Sequence, residues 1–469
     1  MSSVNSDTHV NWRIRANYSI VPEDNTAWHS QDKQKSGARM PGTQVGFPRL
    51  GSFGVFLGPA LSTLGLDLVV APPSSRRTLD LGIKHNPEMI CAPCKLLFGN
   101  YVEALEQGCQ VLVMLGGPGT CRLGYSARLQ ETWLRQMGFD FQAYTLDLRH
   151  FARDAIRIFR TVTGASWTEL LEMVRFALPL VELVDEIEQE TLHLRPLEWK
   201  QKGARGQSDV DRLRAEALAC IESLPDRAAL SEQRDTLLRR FQAIPVDESL
   251  VPLRVGVVGD LYTMQESFFN MDMERELGRL GVHVLRSFWF SDSLGNLLQQ
   301  RVLRRGRNVQ RIRAAEPYLS RRIGGFARAT VGDAAVFAQE GADGVIHLAP
   351  FGCTPEVMAH NALLSLQREC HVPILSLSFD EHTGRAGLLT RLEAFVDILE
   401  RRRQRQPGPP PASGWRGVPS FPLSGLLESL EDRLGEGLDA LLPGLRESDV
   451  TSDEQRQSDT GPRPEEKSL

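Results

Sequence analysis

Residues 109–117 read CQVLVMLGG. From Val111 to Leu115 no polar residue interrupts the run. A strand with one wet face alternates apolar and polar residues. This one does not, so both of its faces must be covered, as in a parallel sheet packed between helices. The flanking sequence agrees. Upstream, residues 94–108 (CKLLFGNYVEALEQG) form an amphipathic helix with Gly108 as its stop signal. Downstream, residues 126–138 (SARLQETWLRQMG) repeat that pattern, and residues 141–148 (FQAYTLDL) return to a strand. Further upstream lie a strand at 45–50 (VGFPRL), a helix at 51–65 and a strand at 66–72 (LDLVVAP), with a loop expected before Cys94. Strand and helix alternating in steps of roughly 20–30 residues is the signature of a parallel α/β sheet.

The same pattern returns after Pro252. Residues 253–262 (LRVGVVGDLY) are a strand running into a turn, 270–281 a helix, and 282–290 (VHVLRSFWF) a strand. A mostly helical stretch around 321–341 follows, with Gly324 and Gly325 as a break. Then come a strand and loop at 342–353 (ADGVIHLAPFGC), a helix at 355–370, a strand at 372–381 (VPILSLSFDE) and a helix at 388–403. Between the two units, residues 151–164, 168–192, 209–224 and 230–244 carry helical periods only. The expected architecture is α/β: two parallel-sheet, Rossmann/flavodoxin-like lobes joined by a helical connector. Its divisions are a flexible arm (1–44), lobe 1 (45–149), the connector (150–250), lobe 2 (251–403) and a terminal region (404–469). That last region opens with a Pro/Gly-rich linker. It continues with Leu423, Leu426, Leu427, Leu430, Leu434, Leu438, Leu441 and Leu442 on one face of a short amphipathic helix, and ends in an acidic tail.

Composition excludes several classes. The formal net charge is −5, with 54 basic and 59 acidic residues, so no general polyanion binder and no nucleic-acid partner is expected. The most apolar stretch, residues 52–71, is broken by Pro59, Gly65 and Asp67, so no membrane span is expected. The first residues lack the apolar core of a secretory signal, which points to the cytoplasm. Seven cysteines make a poor disulfide set and fit reduced thiols.

Cys109, Cys220 and Cys370 lie within or at the ends of regular elements and read as small, buried or half-buried packing residues. The other four sit in loops. Cys91 and Cys94 form CAPC at a helix start, Cys121 follows the strand 109–117 in GGPGTCRLGY, and Cys353 follows 344–350 in APFGCTPE. Ligands of open parallel sheets gather beyond the carboxyl ends of the strands. A helix N-terminus also favours a thiolate. Gly117, Gly119 and Gly352 clear side chains from around two of these sulfurs and expose backbone N–H groups to them. Thiolates from both lobes fit an iron–sulfur cluster held between them, and three sulfurs on a cubane would leave one iron open. Zinc on the single CxxC pair, a CxxC thiol–disulfide centre, and unrelated buried cysteines are the rival readings.

No GxGxxG follows a strand, and no GxxxxGK[ST] occurs. Asp260 ends the strand 253–259. Asp380, Glu381 and His382 end the strand 372–379 and are candidate acid–base catalysts. The rival reading for that trio is helix capping. His347 and His360 flank the Cys353 loop and read as hydrogen-bonded core histidines.

Six stretches, VGFPRLGSFGVF (45–56), PEMICAPCKLLFGNYVEAL (87–105), GGPGTCRLGYSARLQ (116–130), residues 255–282, GDAAVFAQEGADGVIHLAPFGCTPE (332–356) and residues 377–399, together resemble the 2-hydroxyacyl-CoA dehydratase family and the related domains of CoA-substrate-specific enzyme activases. The resemblance covers most of residues 45–400. It implies a 4Fe–4S cluster, with Cys91, Cys121 and Cys353 as the matching ligands and Cys94 as a further candidate. It also implies a lyase component that takes one electron from a separate ATP-hydrolysing activase or other reductase and passes it to an acyl-CoA-like thioester, beside a related subunit or a second copy. The chain itself carries no visible actin-like ATPase domain. The competing functions are a cluster-binding accessory or electron-relay protein, and a non-enzymatic scaffold.

Overall fold

A computed structural model describes residues 42–116, 121–147, 151–202, 208–247, 249–292, 307–321 and 323–405. Lobe 1 contains β1 (Thr43–Phe47), α1 (Phe53–Ser62), β2 (Leu66–Val70), α2 (Arg76–His85), α3 (Ala92–Glu106), β3 (Val111–Gly116), α4 (Arg122–Gln136) and β4 (Gln142–Asp147). Four helices follow: α5 (Phe151–Thr163), α6 (Trp167–Lys202), α7 (Asp209–Glu222) and α8 (Arg227–Gln242). Lobe 2 contains β5 (Leu253–Gly259), α9 (Leu261–Gln265), α10 (Ser267–Asn270), α11 (Met273–Arg279), β6 (Val282–Arg286), α12 (Arg307–Ala315), α13 (Ala327–Gln339), β7 (Gly344–Pro350), α14 (Thr354–Cys370), β8 (Ile374–Phe379) and α15 (Arg385–Arg405).

The chain is α/β. Its two sheets run β2-β1-β3-β4 and β6-β5-β7-β8, and every pairing is parallel. In each sheet the chain builds outward on one side of its first strand and then crosses to the other. The order therefore reverses between β1 and β3, and again between β5 and β7. In doubly wound sheets this reversal opens a crevice at the carboxyl ends of the strands.

Burial explains the strand sequences. Every residue of β3 and of β5 is buried, and both strands are continuous apolar runs apart from Arg254. The edge strands β2, β4 and β8 are only partly covered and carry polar residues. At about 1.5–3 kcal/mol for each large apolar side chain buried, the central strands anchor both lobes. One apolar core runs without a break from lobe 1 through α5–α8 to Val255, Val257, Leu348 and Phe379 in lobe 2. A second, smaller core lies in lobe 2 among α12, α13 and α14.

Four details differ from the sequence reading. Residues 76–85, expected as loop, form α2. Ser75 caps it in a reciprocal box with Thr78, whose hydroxyl accepts from the Ser75 N–H at 3.0 Å. Helix α2 then interlocks with α3, since a Cβ on Gly82 would lie 2.0 Å from the Lys95 carbonyl oxygen. Helix α6 is 36 residues long and runs through Pro179 and Pro196. Strand β6 stops at Arg286, and the following Phe290 packs on Phe53 and Phe56 of lobe 1, both with ring centroids 5.5 Å away. Cys370, expected to be buried or half-buried, is exposed at the end of α14 beside the Tyr318 hydroxyl. The leucine-rich segment 423–442 and the arm before residue 42 lie outside the described residues.

Beneath the lobes, α6 carries a buried charge cluster. Glu188 accepts from Ser52 Oγ at 2.8 Å, Arg214 Nε at 3.1 Å and Arg286 at 3.3 Å. Arg286 Nε also donates to Glu274 at 2.8 Å. Burial alone would raise the Glu188 pKa, but the charges of Arg214 and Arg286 outweigh it and hold the carboxyl well below its usual range. Ser52 of lobe 1, Glu188 and Arg214 of the connector, and Arg286 and Glu274 of lobe 2 thus meet in one hydrogen-bonded cluster.

Candidate functional site

Cys91, Cys121 and Cys353 occupy one structural position three times. Each is the N-cap residue of a long helix: α3, α4 and α14 respectively. Their backbones are alike, at φ −64°, ψ 147°, φ −72°, ψ 130° and φ −80°, ψ 103°. Helix N-caps favour Ser, Thr, Asp and Asn, whose oxygens accept from the N2 or N3 amide. None of the three sulfurs closes a capping hydrogen bond. The N3 amides of Cys94, Gly124 and Glu356 nevertheless face the Cys91, Cys121 and Cys353 sulfurs and favour their charged forms, as cap donors do.

Strand ends and close packing bring these positions together. Gly116 ends β3, and a Cβ there would lie 2.8 Å from both Ala127 Cβ and Thr145 Cγ2. Its absence lets α4, with Cys121 at its head, settle against the sheet. Gly352 takes φ +78°, a left-handed conformation that suits glycine, and turns the chain from β7 into Cys353. A Cβ on Gly352 would lie 3.3 Å from the Met89 carbonyl oxygen and 3.9 Å from Cys91 Cα. A Cβ on Gly325 would stand 2.8 Å from Pro355 and 4.0 Å from Cys121 Cβ. The Cys353 loop of lobe 2 thus lies against the Cys91 loop of lobe 1, and Gly325, packed on Pro355, lies near Cys121. Gly117 and Gly119, expected beside Cys121, lie outside the described residues.

Cys94 sits one turn into α3, fully buried, with its sulfur 3.4 Å from that of Cys91. The hydrogen bond from Cys94 lowers the Cys91 pKa, and the same contact together with burial raises that of Cys94. Burial lifts the Cys121 thiol to about 11. Burial, and then the nearby charge of Asp260, pushes the Cys353 thiol far up. Asp260 follows β5, accepts from the Thr263 N–H at 3.0 Å, and is raised to about 6, first by burial. The charge of Asp260 disfavours ionisation of Cys91, Cys121 and Cys353, and that of Cys91 disfavours ionisation of Cys121 and Cys353. Such a group of thiols becomes thiolate when a cation displaces the protons.

The trio after β8 separates into three environments. Asp380 accepts from the His382 N–H at 2.9 Å and the Thr383 hydroxyl at 2.8 Å, so turn formation accounts for it. Glu381 pairs with Lys95 of α3 at 2.7 Å, joining the two lobes. Burial opposes its charge, but the Lys95 hydrogen bond prevails and lowers its pKa. His382 is exposed. His347 and His360 are both hydrogen-bonded, through Ser376.

Sequence reasoning missed Lys95, Glu356 and Ser126. Lys95 and Glu356 lie in amphipathic helices where an exposed charge is the ordinary expectation. Ser126 is buried on α4 beside Cys94. For Glu356 one signal existed: Cys-Thr-Pro-Glu at 353–356 repeats the Cys-Ala-Pro-Cys spacing at 91–94, with Glu in the place of Cys94.

Among the described residues no three His, Cys, Asp or Glu side chains are gathered to hold a metal ion. Ligands of a four-iron cluster bind separate irons and stand farther apart than ligands of one ion. The donors near one another here are thiols from both lobes, at helix starts. No protein-family model matches the chain, and no curated protein matches its sequence. Among the described residues no helix is long and apolar enough to cross a membrane.

Proposed function

We propose that the chain is an iron–sulfur protein of the 4Fe–4S type, with the cluster held between its lobes by Cys91, Cys121 and Cys353. In this reading it takes part in single-electron chemistry on an acyl-CoA-like thioester, as a component resembling a 2-hydroxyacyl-CoA dehydratase. The observation that carries the reading is the threefold N-cap placement of cysteine, on helices of both lobes, where Ser, Thr, Asp or Asn is the usual residue. When bound, the cluster supplies one electron at a time. The chain supplies the rest. The helix starts offer N–H groups to the sulfurs, and Asp260 and Glu356 offer carboxyl groups nearby. Lys95 and Glu381 hold the crevice walls together. Met89, Tyr125 and Phe351, each close in sequence to one of the sulfurs, are exposed apolar side chains. The electron would come from a separate ATP-hydrolysing activase or another reductase in the cytoplasm, and a related subunit or second copy would complete the assembly. Without a thioester substrate the same site serves as an electron relay.

The test is anaerobic purification with iron and acid-labile sulfide analysis and EPR. Cys91→Ser, Cys121→Ser and Cys353→Ser should each abolish or strongly disturb the cluster, while Cys220→Ser leaves it intact. Iron-free folded protein, or normal iron in all three variants, sinks the reading and leaves a scaffold role.

One observation favours a second reading. Cys91 and Cys94 are in sulfur contact at a helix start, with one pKa lowered and the other raised. That split suits a dithiol that closes to a disulfide. Both sulfurs are buried, which weighs against exchange with a partner. Thiol titration decides it: reversible loss of two thiols on oxidation, absent in Cys94→Ser, supports the dithiol.

A further inference from the structure

Behind the Cys353 loop, four side chains from three elements form an unbroken hydrogen-bonded line. Glu356 (α14) lies 3.0 Å from His347 Nε2 (β7). His347 Nδ1 lies 3.3 Å from Ser376 Oγ (β8). Ser376 Oγ lies 2.9 Å from His360 Nδ1, two turns along α14 from the Cys353 cap. Glu356 and His347 are buried, at 1% and 0% exposure, while Ser376 and His360 are half-buried. The Thr330 hydroxyl donates to both Glu356 oxygens, at 3.3 and 3.1 Å. A buried carboxyl group and a buried histidine are thus linked to the surface.

With Glu356 as carboxylate and both imidazoles neutral, donor and acceptor counting sets the direction. A carboxylate only accepts, so His347 Nε2 carries the proton toward Glu356. Its Nδ1 must then accept, and the one hydrogen of Ser376 goes to it. Ser376 Oγ in turn accepts from His360 Nδ1–H. His360 Nε2 is left as the acceptor at the outer end. Every donor along the line points inward.

We propose that this line is a proton path from solvent to Glu356, at the crevice that holds Cys353 and Asp260. A solvent proton binds His360 Nε2, and the Nδ1–H bond of that ring breaks as Ser376 Oγ takes its proton. Ser376 passes its own hydrogen to His347 Nδ1, and His347 Nε2–H breaks as the proton reaches Glu356 Oε2. One proton moves inward, each bond broken is matched by one formed, and no oxidant or reductant is needed. The path depends on these side chains alone and goes beyond the cluster reading: it would serve any chemistry at the crevice that consumes a proton, such as loss of hydroxide as water.

The experiment is NMR on the full chain with ¹⁵N-labelled histidine. Long-range ¹H–¹⁵N correlations should show His347 protonated at Nε2 and His360 at Nδ1. A fully buried imidazole proton without a path exchanges only when the fold opens. Hydrogen exchange at His347 Nε2 should therefore be fast in the native chain. It should slow by about tenfold or more in Ser376→Val, while amide exchange along β7 is unchanged, and recover in Ser376→Thr. If Ser376→Val fails to fold, His360→Phe blocks the outer end and should slow exchange to a similar degree. Protonation of His347 at Nδ1, or His347 exchange unaltered in a folded variant, overturns the path. Neither measurement depends on iron content, so this result and the cluster result stand apart.

Discussion

Two buried polar clusters lie between the same lobes, and they treat charge in opposite ways. In the joint on α6, each acid meets a base: Glu188 meets Arg214 and Arg286, and Arg286 also meets Glu274. The Glu188 pKa is lowered toward the charged form as a result. In the crevice, sulfurs and carboxyl groups crowd together, and Cys121, Cys353 and Asp260 are all pushed toward the neutral form. A region folded for stability satisfies its own charges. A region that gathers acidic groups without a matched base leaves burial and like charge to favour their neutral forms. Substitutions should therefore weaken the fold strongly at the joint and little at the crevice.

The largest loss of stability is expected at Glu188. Glu188→Ala leaves Arg214 and Arg286 buried without their shared partner, and breaking such a cluster from one side costs about 3–5 kcal/mol. Urea unfolding should show it as a lower midpoint at unchanged slope. The wild-type joint should also be acid-sensitive. The folded pKa of Glu188 is depressed below 4.5, so its contribution is complete above about pH 4.5 and fades as pH falls toward the folded value. A Glu188→Ala protein as stable as the wild type would erase the distinction between the two clusters.

A smaller loss is expected where the crevice is itself tied shut. Lys95→Met removes the bond to Glu381 and the bond from Lys95 Nζ to the Glu88 carbonyl at 2.9 Å. Glu381 keeps partial access to water, so the cost should be about 1.5–3 kcal/mol, the range for hydrogen bonds to charged groups. Hydrogen exchange should rise first at the starts of α3 and α15, the two walls that the pair connects. A uniform rise across lobe 1 would mean that Lys95 supports its own lobe rather than the contact between lobes.

The legible part of the molecule was periodic. β3 and β7 announce themselves as apolar runs ended by Gly/Pro loops, and those loops carry Cys121 and Cys353. Helix α2 was hidden because its cap is Ser75 with Thr78 rather than an acidic residue, and because RRTLDLGIKH buries only a narrow stripe against α3. The site was legible as positions in a topology and illegible as partners. Cys91, Cys121 and Cys353 could be placed at strand and helix ends from the parallel-sheet rule. No pattern joins Lys95 to Glu381 across 286 residues. The Glu356–His347–Ser376–His360 line draws on three elements, whose residues become neighbours only when β7 pairs with β8 and α14 folds back over them.

The smallest effect, and one of opposite sign, is expected at Asp260. Its pKa of about 6 in the folded chain lies above the ordinary 3.8. The folded state therefore holds its proton more tightly than the unfolded chain does. Ionising Asp260 is a penalty on the fold, complete above about pH 6 and relieved as pH falls toward 4. Asp260→Asn removes the penalty and keeps an oxygen to accept the Thr263 N–H. In protein prepared with a chelator, this variant should be more stable than the wild type at pH 7.5 by roughly 1–2 kcal/mol, less than two full pKa units because Asp260 is not wholly shielded from water. The difference should shrink to nothing near pH 4. Glu188 cannot behave this way, because its charge has Arg214 and Arg286 to lose. If Asp260→Asn instead destabilises at pH 7.5, then Asp260 has a cationic partner within the fold, and the crevice is a second joint rather than a site.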